Sequence, residues 1–280
     1  MKQVLLIGET CIDEFIYGSV DRISQEAPCP IFLANGSRDS TEGMCGNVKN
    51  NIEQLSSNIE IRTLTNDVPI IKRRLIDTKH GNMVYRIDKH DTSPRVDLFE
   101  INRIANSHRY DAVVVSDYNK GFLSDKDLSS IGNMFSCYKF IDTKKIISTE
   151  WGKKFDFIKI NADELFANIA SHGSIKRVRE LCNTLIVTQG EDGAIAYSEE
   201  IETFQSYKAN VSHVSGAGDT FLAALVVRFL EVENVADSID FANLCSSVAV
   251  SKENVSLVSR EEADNFRRSS KNITNGNATF

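Results

Sequence analysis

Along the chain, short continuous apolar runs alternate with stretches of helical period. Val4 to Ile7 before Gly8, Ala112 to Val115 before Ser116 and Asp117, and Leu185 to Val187 before Thr188 have no polar interruption. A strand covered on both faces reads this way, which predicts parallel strands buried between helices. Phe140-Ile-Asp-Thr-Lys144 and Phe157-Ile-Lys-Ile160 end two further strands, and Ile59 to Leu64 alternates enough to be half exposed. Ile70 to Ile76 and Met83 to Ile87 are joined by a polar stretch containing His80-Gly-Asn82, a hairpin pattern. Phe221 to Leu230 is apolar on nearly every side and too rich in Ala and Leu for a turn, so it predicts a buried helix. Ile239, Ala242, Cys245, Val248 and Ala249 repeat at helical spacing and predict a second helix beside it. The alternation predicts an α/β fold with a mostly parallel sheet between helical layers.

Composition narrows this picture. A chain of 280 residues, 41% hydrophobic and 25% charged, can bury one sizeable α/β core, and one globular domain over 1–268 is expected. The net charge of −7 argues against nucleic-acid or acidic-lipid partners and points to a small molecule. The six cysteines are scattered without C-x-x-C and read as reduced thiols, not metal ligands. The apolar run at Val4 to Ile7 is too short for a signal peptide and no run approaches a membrane span, so a cytoplasmic location is expected. Residues 269–280 are polar and expected to fray, and their two N-x-T sequons carry no weight in such a chain.

The chemistry concentrates in Val214-Ser-Gly-Ala-Gly-Asp-Thr-Phe221, a glycine turn feeding the N-terminus of the buried helix. That terminus offers unpaired N–H groups and partial positive charge to an anion. Asp219 on such a first turn is in general a capping or dipole-compensating group. Beside Gly216, Ala217 and Gly218 it also has what phosphoryl transfer to a hydroxyl needs: a base next to an anion hole. Two other nucleotide-binding solutions are excluded, because Gly8-Glu-Thr-Cys11 lacks the dinucleotide fingerprint and no G-x-x-x-x-G-K-[ST] occurs.

Ser215-Gly-Ala-Gly-Asp-Thr220 resembles the C-terminal motif of the ribokinase-like (PfkB-type) carbohydrate kinases. Further motifs, from about Val4 to Ala263, resemble most the heptose 7-phosphate kinase branch: Arg22-Ile-Ser-Gln-Glu-Ala-Pro-Cys-Pro30, Ser116-Asp-Tyr-Asn-Lys-Gly121 and Asn161-Ala-Asp-Glu164. The resemblance implies a three-layer α/β/α sandwich whose sheet carries a small β lid, built from about 13–36 and 69–90, which excludes water from the sugar. It makes Asp219 the catalytic base and Gly216, Ala217 and Gly218 the anion hole. It implies ATP as phosphoryl donor, with Asn161 and Glu164 placing Mg²⁺ through water, and Thr188, Gly190, Gly193 and Lys144 bordering the nucleotide phosphates. Taken as a spacing alone, Asn161 and Glu164 are also an ordinary capping box, and Gly190 to Gly193 is also an ordinary hairpin turn.

For the sugar, the resemblance implies Asp13, Gly43, Asn47, Asp117 and Lys120, although a lone Asp after a strand, such as Asp13, is commonly a turn residue. Met44 stands where the family pairs a second glycine with Gly43, and a side chain there stiffens lid closure or reshapes the pocket. The hairpin follows Asn66-Asp67-Val68 directly, where relatives insert a further helix and strand. Lys72, Arg73, Arg74 and Arg86 gather on the lid; such a cluster is either a solvated face or a grip on a substrate that already bears a phosphate. Glu253 to Val258 resembles the loop and strand that line the adenine pocket.

The expected activity is an ATP-dependent phosphorylation of a sugar or sugar-phosphate hydroxyl, specifically the C1 hydroxyl of a heptose 7-phosphate. Another sugar or nucleoside kinase of the superfamily is the alternative within the enzyme class. A non-catalytic sugar or nucleotide sensor is the alternative outside it, but a sensor has no need of Asp219 as a base. Exposed lid strands are expected to pair two copies into a homodimer. The nucleotidyltransferase domain fused to some relatives is not expected here.

Overall fold

The computed structural model describes residues 1–252 and 255–275, with side chains described as far as residue 269. In chain order the elements are β1 (Lys2–Gly8), β2 (Thr10–Ile23), β3 (Pro30–Leu33), β4 (Arg38–Met44), α1 (Cys45–Leu55), β5 (Ile59–Thr65), β6 (Ile70–Asp77), β7 (Asn82–Lys89), α2 (Leu98–Ser107), β8 (Ala112–Asp117), α3 (Asp125–Met134) and β9 (Tyr138–Thr143). There follow β10 (Phe157–Asn161), α4 (Ala162–His172), α5 (Ile175–Glu180), β11 (Thr184–Thr188), β12 (Ala194–Tyr197), β13 (Ile201–Phe204), α6 (Ala217–Val232), α7 (Val235–Val250) and α8 (Arg260–Asn275).

Eight strands form the central sheet in the order β13-β12-β11-β10-β9-β8-β1-β5. From β5 to β11 every pairing is parallel, and β12 and β13 extend the edge antiparallel. Successive side chains on a strand point to opposite faces, so β1 serves two cores at once. Val4 and Leu6 pack with α1, α6 and α7 on one side, whereas Leu5 and Ile7 pack with Ile101 of α2, Leu128 of α3 and Val178 of α5 on the other. This is the three-layer sandwich expected from the alternation of buried runs and helices.

The helix that carries Asp219 is anchored by aromatics. Phe140 of β9 and Phe157 of β10 stack with centroids 4.7 Å apart, and Phe229 of α6 stands edge-on against them at 5.6 and 4.7 Å. Such pairs add to plain area burial and hold the far end of α6 on the sheet. Its N-terminus then lies at the carboxyl ends of the parallel strands, where open α/β sheets place their ligands.

A second, five-stranded sheet forms the lid. The first half of β2 pairs with β4 antiparallel and with β6 parallel; its second half pairs with β3, and β7 closes the β6–β7 hairpin. The lid is wider than the expected 13–36 and 69–90, because β2 starts at Thr10 and Arg38–Met44 is a strand. Polar residues at Arg38 to Glu42 hid this strand, whose pairing partner rather than its own pattern makes it. No helix or strand separates Thr65 from Ile70, as expected. Asn66 ties the two lid roots together: Oδ1 accepts from the Thr10 N–H at 2.6 Å, and Nδ2 donates to the Thr10 and Val68 carbonyls at 3.2 and 2.7 Å.

One expectation near the C-terminus is corrected. Helix α8 runs to Asn275, into the stretch expected to fray, while 276–280 lie outside the described residues. Of the expected loop and strand at Glu253 to Val258, residues 253 and 254 lie outside the described residues and 255–258 form no strand, although Val255 and Val258 are buried.

Candidate active site

Gly216 begins the site. It is the N-cap of α6 at φ 84°, a left-handed conformation, and a Cβ there would stand 2.8 Å from the Asn47 side-chain nitrogen. Only glycine meets both conditions without strain. Ala217 N–H and Thr220 N–H donate to the carbonyls of Val214 and Gly216. Between them, Gly218 and Asp219 carry the N–H groups that a helix start leaves for an anion.

Asp219 is 3% exposed, and both its oxygens are held. Tyr118 O–H donates to Oδ1 at 2.7 Å, and Asn47 Nδ2 donates to Oδ2 at 3.1 Å and to the Gly216 carbonyl at 3.4 Å. Burial pushes its carboxyl up to about 6. The Tyr118 and Asn47 hydrogen bonds oppose that rise, the Asp142 charge adds to it, and the Lys159 ammonium offsets it. A carboxylate poised near neutrality and pointed at a cleft suits a general base.

Asn47, expected at the sugar, is thus on Asp219 itself. Its Oδ1 accepts from Asn51, whose own Oδ1 accepts from the Val258 N–H, so a buried polar chain in α1 sets its rotamer. Asp13 is 5% exposed and pairs with Arg74 Nη1 at 2.5 Å. Gly43 makes room for that carboxylate, since a Cβ on it would meet Asp13 Oδ2 at 2.1 Å. His213, in the loop before α6, lies close by, and burial together with the Arg74 cation pushes its imidazolium pKa down.

Several predicted residues are placed differently from expectation. Asp117 does not face the cleft: it is 1% exposed, accepts from Thr143 O–H at 2.6 Å and from Asn119 N–H at 3.0 Å, and is pushed up to about 6 chiefly by burial. It pins the end of β8 to the end of β9. Lys120 turns away to Asp91 at 2.7 Å. Tyr118, next after Asp117, reaches Asp219 instead, because the Glu9 carboxylate, fully buried, gathers the backbone N–H groups of Tyr118, Lys120 and Phe122 and so shapes the loop. Arg74 is not an exposed lid cation, and Arg86 is exposed but paired with Asp88 at 2.7 Å. Among the described residues Lys72 makes no ion pair; its Nζ sits 5.2 Å from the Tyr118 ring centroid.

The residues expected beside the nucleotide phosphates, Thr188, Gly190, Gly193, Ala217 and Gly218, line a cleft of about 1050 Å³ together with Asn243 of α7. Asn161, Glu164 and Lys144 stand outside that lining, at the ends of the neighbouring strands. Asn161 Oδ1 accepts from Glu164 N–H at 2.9 Å while Glu164 Oε2 accepts from Asn161 N–H at 2.7 Å, so the capping box is real. Lys144 reaches over the other side of the site, with Nζ 4.7 Å from the Tyr118 ring centroid. Lys159 was legible only as a cation inside a buried strand. Its Nζ pairs with Asp142 at 2.8 Å and would stand 3.0 Å from a Cβ on Gly218, beneath the anion hole.

Residues 140–262 match the model of the pfkB family carbohydrate kinases. The chain is 28% identical to the bifunctional protein HldE of Sulfurimonas denitrificans over 95% of its own length and 64% of that protein, and 29% identical to that of Hyphomonas neptunium over 93% and 62%. It therefore spans less than two thirds of the length of these curated relatives. Among solved structures, Thermotoga maritima ribokinase superposes with a TM-score of 0.76 at 15% identity, covering 96% of this chain and all 100% of that one. Phosphofructokinase-2 of Escherichia coli, solved with substrates and products, superposes with a TM-score of 0.71 at 13% identity, covering 97% and 100%. A buried carboxylate at a glycine-capped helix start, at the carboxyl ends of a parallel sheet and under a β lid, stands in a chain that has the ribokinase-like fold and whose residues 140–262 are similar to the pfkB family carbohydrate kinases.

Proposed function

We propose that the enzyme transfers the γ-phosphoryl group of ATP to a hydroxyl of a sugar phosphate, and that its acceptor is the C1 hydroxyl of a heptose 7-phosphate, giving the 1,7-bisphosphate and ADP. The observation that carries this reading is Asp219, buried and held at both oxygens where the nucleotide cleft meets the lid. Each carboxylate oxygen keeps a lone pair beyond the one engaged by Tyr118 or Asn47. Asp219 takes the proton of the acceptor hydroxyl as that oxygen bonds to phosphorus, and the bond from phosphorus to the ADP oxygen breaks. The N–H groups at the start of α6 hold the charge of the group in flight. The likeness to the HldE proteins supports a heptose phosphate as the acceptor.

Magnesium fits the site only as an ion brought in with the nucleotide. Among the described residues no three carboxylate, His or Cys side chains converge on one point. Glu164 commits Oε2 to the capping box, and its other oxygen can hold a water of a hydrated ion. Bound there, Mg²⁺ would neutralise the nucleotide phosphates. Asn161 and Glu164 are the residues that would orient it.

A neutral sugar is a second reading, favoured by one observation: Arg74 is already paired with Asp13 and Arg86 with Asp88. A cytoplasmic enzyme pairing two copies through its lid, where Met83 and Tyr85 of β7 are exposed, belongs to the same proposal. ADP release measured across heptose 7-phosphates, hexose phosphates, ribose and adenosine tests it. The highest kcat/KM is expected with a heptose 7-phosphate. Preference for ribose or adenosine would move the enzyme to another branch, and no turnover with any acceptor would leave a sensor.

A further inference from the structure

Tyr118 is held by six neighbours. Its N–H donates to Glu9 Oε2 at 2.8 Å; its ring packs against Cys11 of β2, Met44 at the β4–α1 junction and Ile70 of β6; and the Lys72 and Lys144 ammonium groups stand 5.2 and 4.7 Å from the ring centroid. So fixed, the phenol has one hydrogen to give, and it gives it to Asp219 Oδ1 at 2.7 Å. An ionised carboxylate can only accept, whereas a protonated one would offer a competing hydrogen. Two donors, Tyr118 and Asn47, converging on opposite oxygens therefore match the ionised form.

We propose that Tyr118 is a positioning residue for phosphoryl transfer: its phenol O–H holds Asp219 in the ionised state and in the orientation from which it takes the acceptor proton. The inference rests on the reading of Asp219 as the base. Tyr118 itself transfers no proton, since burial and the Asp219 charge push its phenol well above the ordinary tyrosine range. The other ionisable groups facing Asp219 are Asp142 from β9 and Lys159 from β10, with Cys11 from β2 and Cys45 from α1 on the lid side. Asp142 opposes ionisation and Lys159 favours it. Because these two are paired to each other at 2.8 Å, the neutral donors Tyr118 and Asn47 carry much of the task of keeping a desolvated carboxylate charged.

Tyr118→Phe keeps the ring, its packing and both cation contacts, and removes only the O–H. The experiment measures kcat/KM against pH for wild type, Tyr118→Phe and Asp219→Asn, and follows the Asp219 carboxyl by ¹³C NMR titration without substrate, its signal assigned by its loss in Asp219→Asn. A charge-assisted hydrogen bond of ordinary strength is expected to shift both the acid limb and the NMR midpoint of Tyr118→Phe upward by about one pH unit. Activity would then fall about tenfold on the acid side and less at pH 9, where the remaining loss reads the orientation alone. An inactive Asp219→Asn together with an unmoved limb and midpoint in Tyr118→Phe overturns the role of Tyr118 alone. Near-normal activity of Asp219→Asn overturns the base and this inference with it. Should Tyr118→Phe fail to fold, 3-fluorotyrosine placed at 118 donates more strongly and is expected to move the limb downward; an unmoved limb overturns the proposal.

Discussion

Arg74 and Asp13 meet at 2.5 Å across the adjacent strands β6 and β2, their side chains 9% and 6% exposed. One lid cation is thus already neutralised, whereas Lys72, two positions earlier on β6 with its Nζ 5.2 Å from the Tyr118 ring centroid, makes no ion pair among the described residues. Breaking a buried pair strands the remaining charge at a cost of about 3–5 kcal/mol. Arg74→Ala is expected to lower thermal stability and to reduce kcat/KM alike for a phosphorylated sugar and its dephosphorylated counterpart. Lys72→Ala is expected to lose about 1.5–3 kcal/mol, roughly 10- to 150-fold in kcat/KM, on the phosphorylated acceptor alone. Equal losses on both substrates for Lys72→Ala would favour the neutral sugar.

For the base, Asp219→Asn is expected to cut turnover by roughly 10² or more while nucleotide affinity stays within a few-fold. In wild type the acid limb should lie near pH 6, because the carboxyl raised to about 6 must be ionised to act and is lost as pH falls through that value. Stopped-assay rates from pH 4.5 to 9, with nucleotide binding measured by calorimetry, check both.

Asp117 gives a stability prediction with a definite sign. Burial pushes its folded carboxyl up to about 6 from the ordinary 3.8, so the folded state binds the extra proton between those values and loses stability as pH rises through them. Asn at this position has no charge to desolvate. The stability of Asp117→Asn relative to wild type should therefore improve by roughly 1.5 kcal/mol between pH 5 and pH 8. Urea unfolding at the two pH values measures it, and a constant difference would show that Asp117 titrates normally.

Glu164→Gln keeps an oxygen for the Asn161 N–H, so the start of α4 should survive with a loss of no more than about 1 kcal/mol. The Mg²⁺ concentration for half-maximal turnover is expected to rise several-fold. An unchanged metal titration at unchanged stability would reduce Asn161 and Glu164 to a helix cap.

Met44 occupies φ 58° and ψ −128°, a backbone region natural to glycine, with its side chain 2% exposed among Cys11, Ile70 and Tyr118. Such strain costs about 1–3 kcal/mol for a residue with a Cβ, while deleting a buried Met side chain costs about 2–5 kcal/mol. Packing wins, so both Met44→Ala and Met44→Gly should be less stable than wild type. Gly should be the more stable of the two by about 1 kcal/mol or more, the reverse of their usual order in regular structure. Thermal melts of the pair decide it.

The sequence by itself determined the sandwich and the place of its chemistry. Buried runs such as Val4 to Ile7 and Ala112 to Val115 can only be strands covered on both faces, and Ser215 to Thr220 before an all-apolar helix can only be a turn into a buried N-terminus. Gly216 was legible because the turn into the helix calls for a glycine, whereas Asp219 as a base and Thr188 beside the nucleotide were expectations that the family resemblance implied. What only the tertiary structure decided is which side chain faces which. Strand β4 exists because β2 offers it a partner, not because Arg38 to Glu42 has a strand's pattern. Asp117 and Tyr118 are neighbours in one motif, yet alternation and the Glu9 carboxylate turn the first into the sheet and the second onto the base. Arg74 looked like a free cation until β2 brought Asp13 beside it from 61 positions away. Pairing across such distances depends on register and burial, which no single stretch of residues carries.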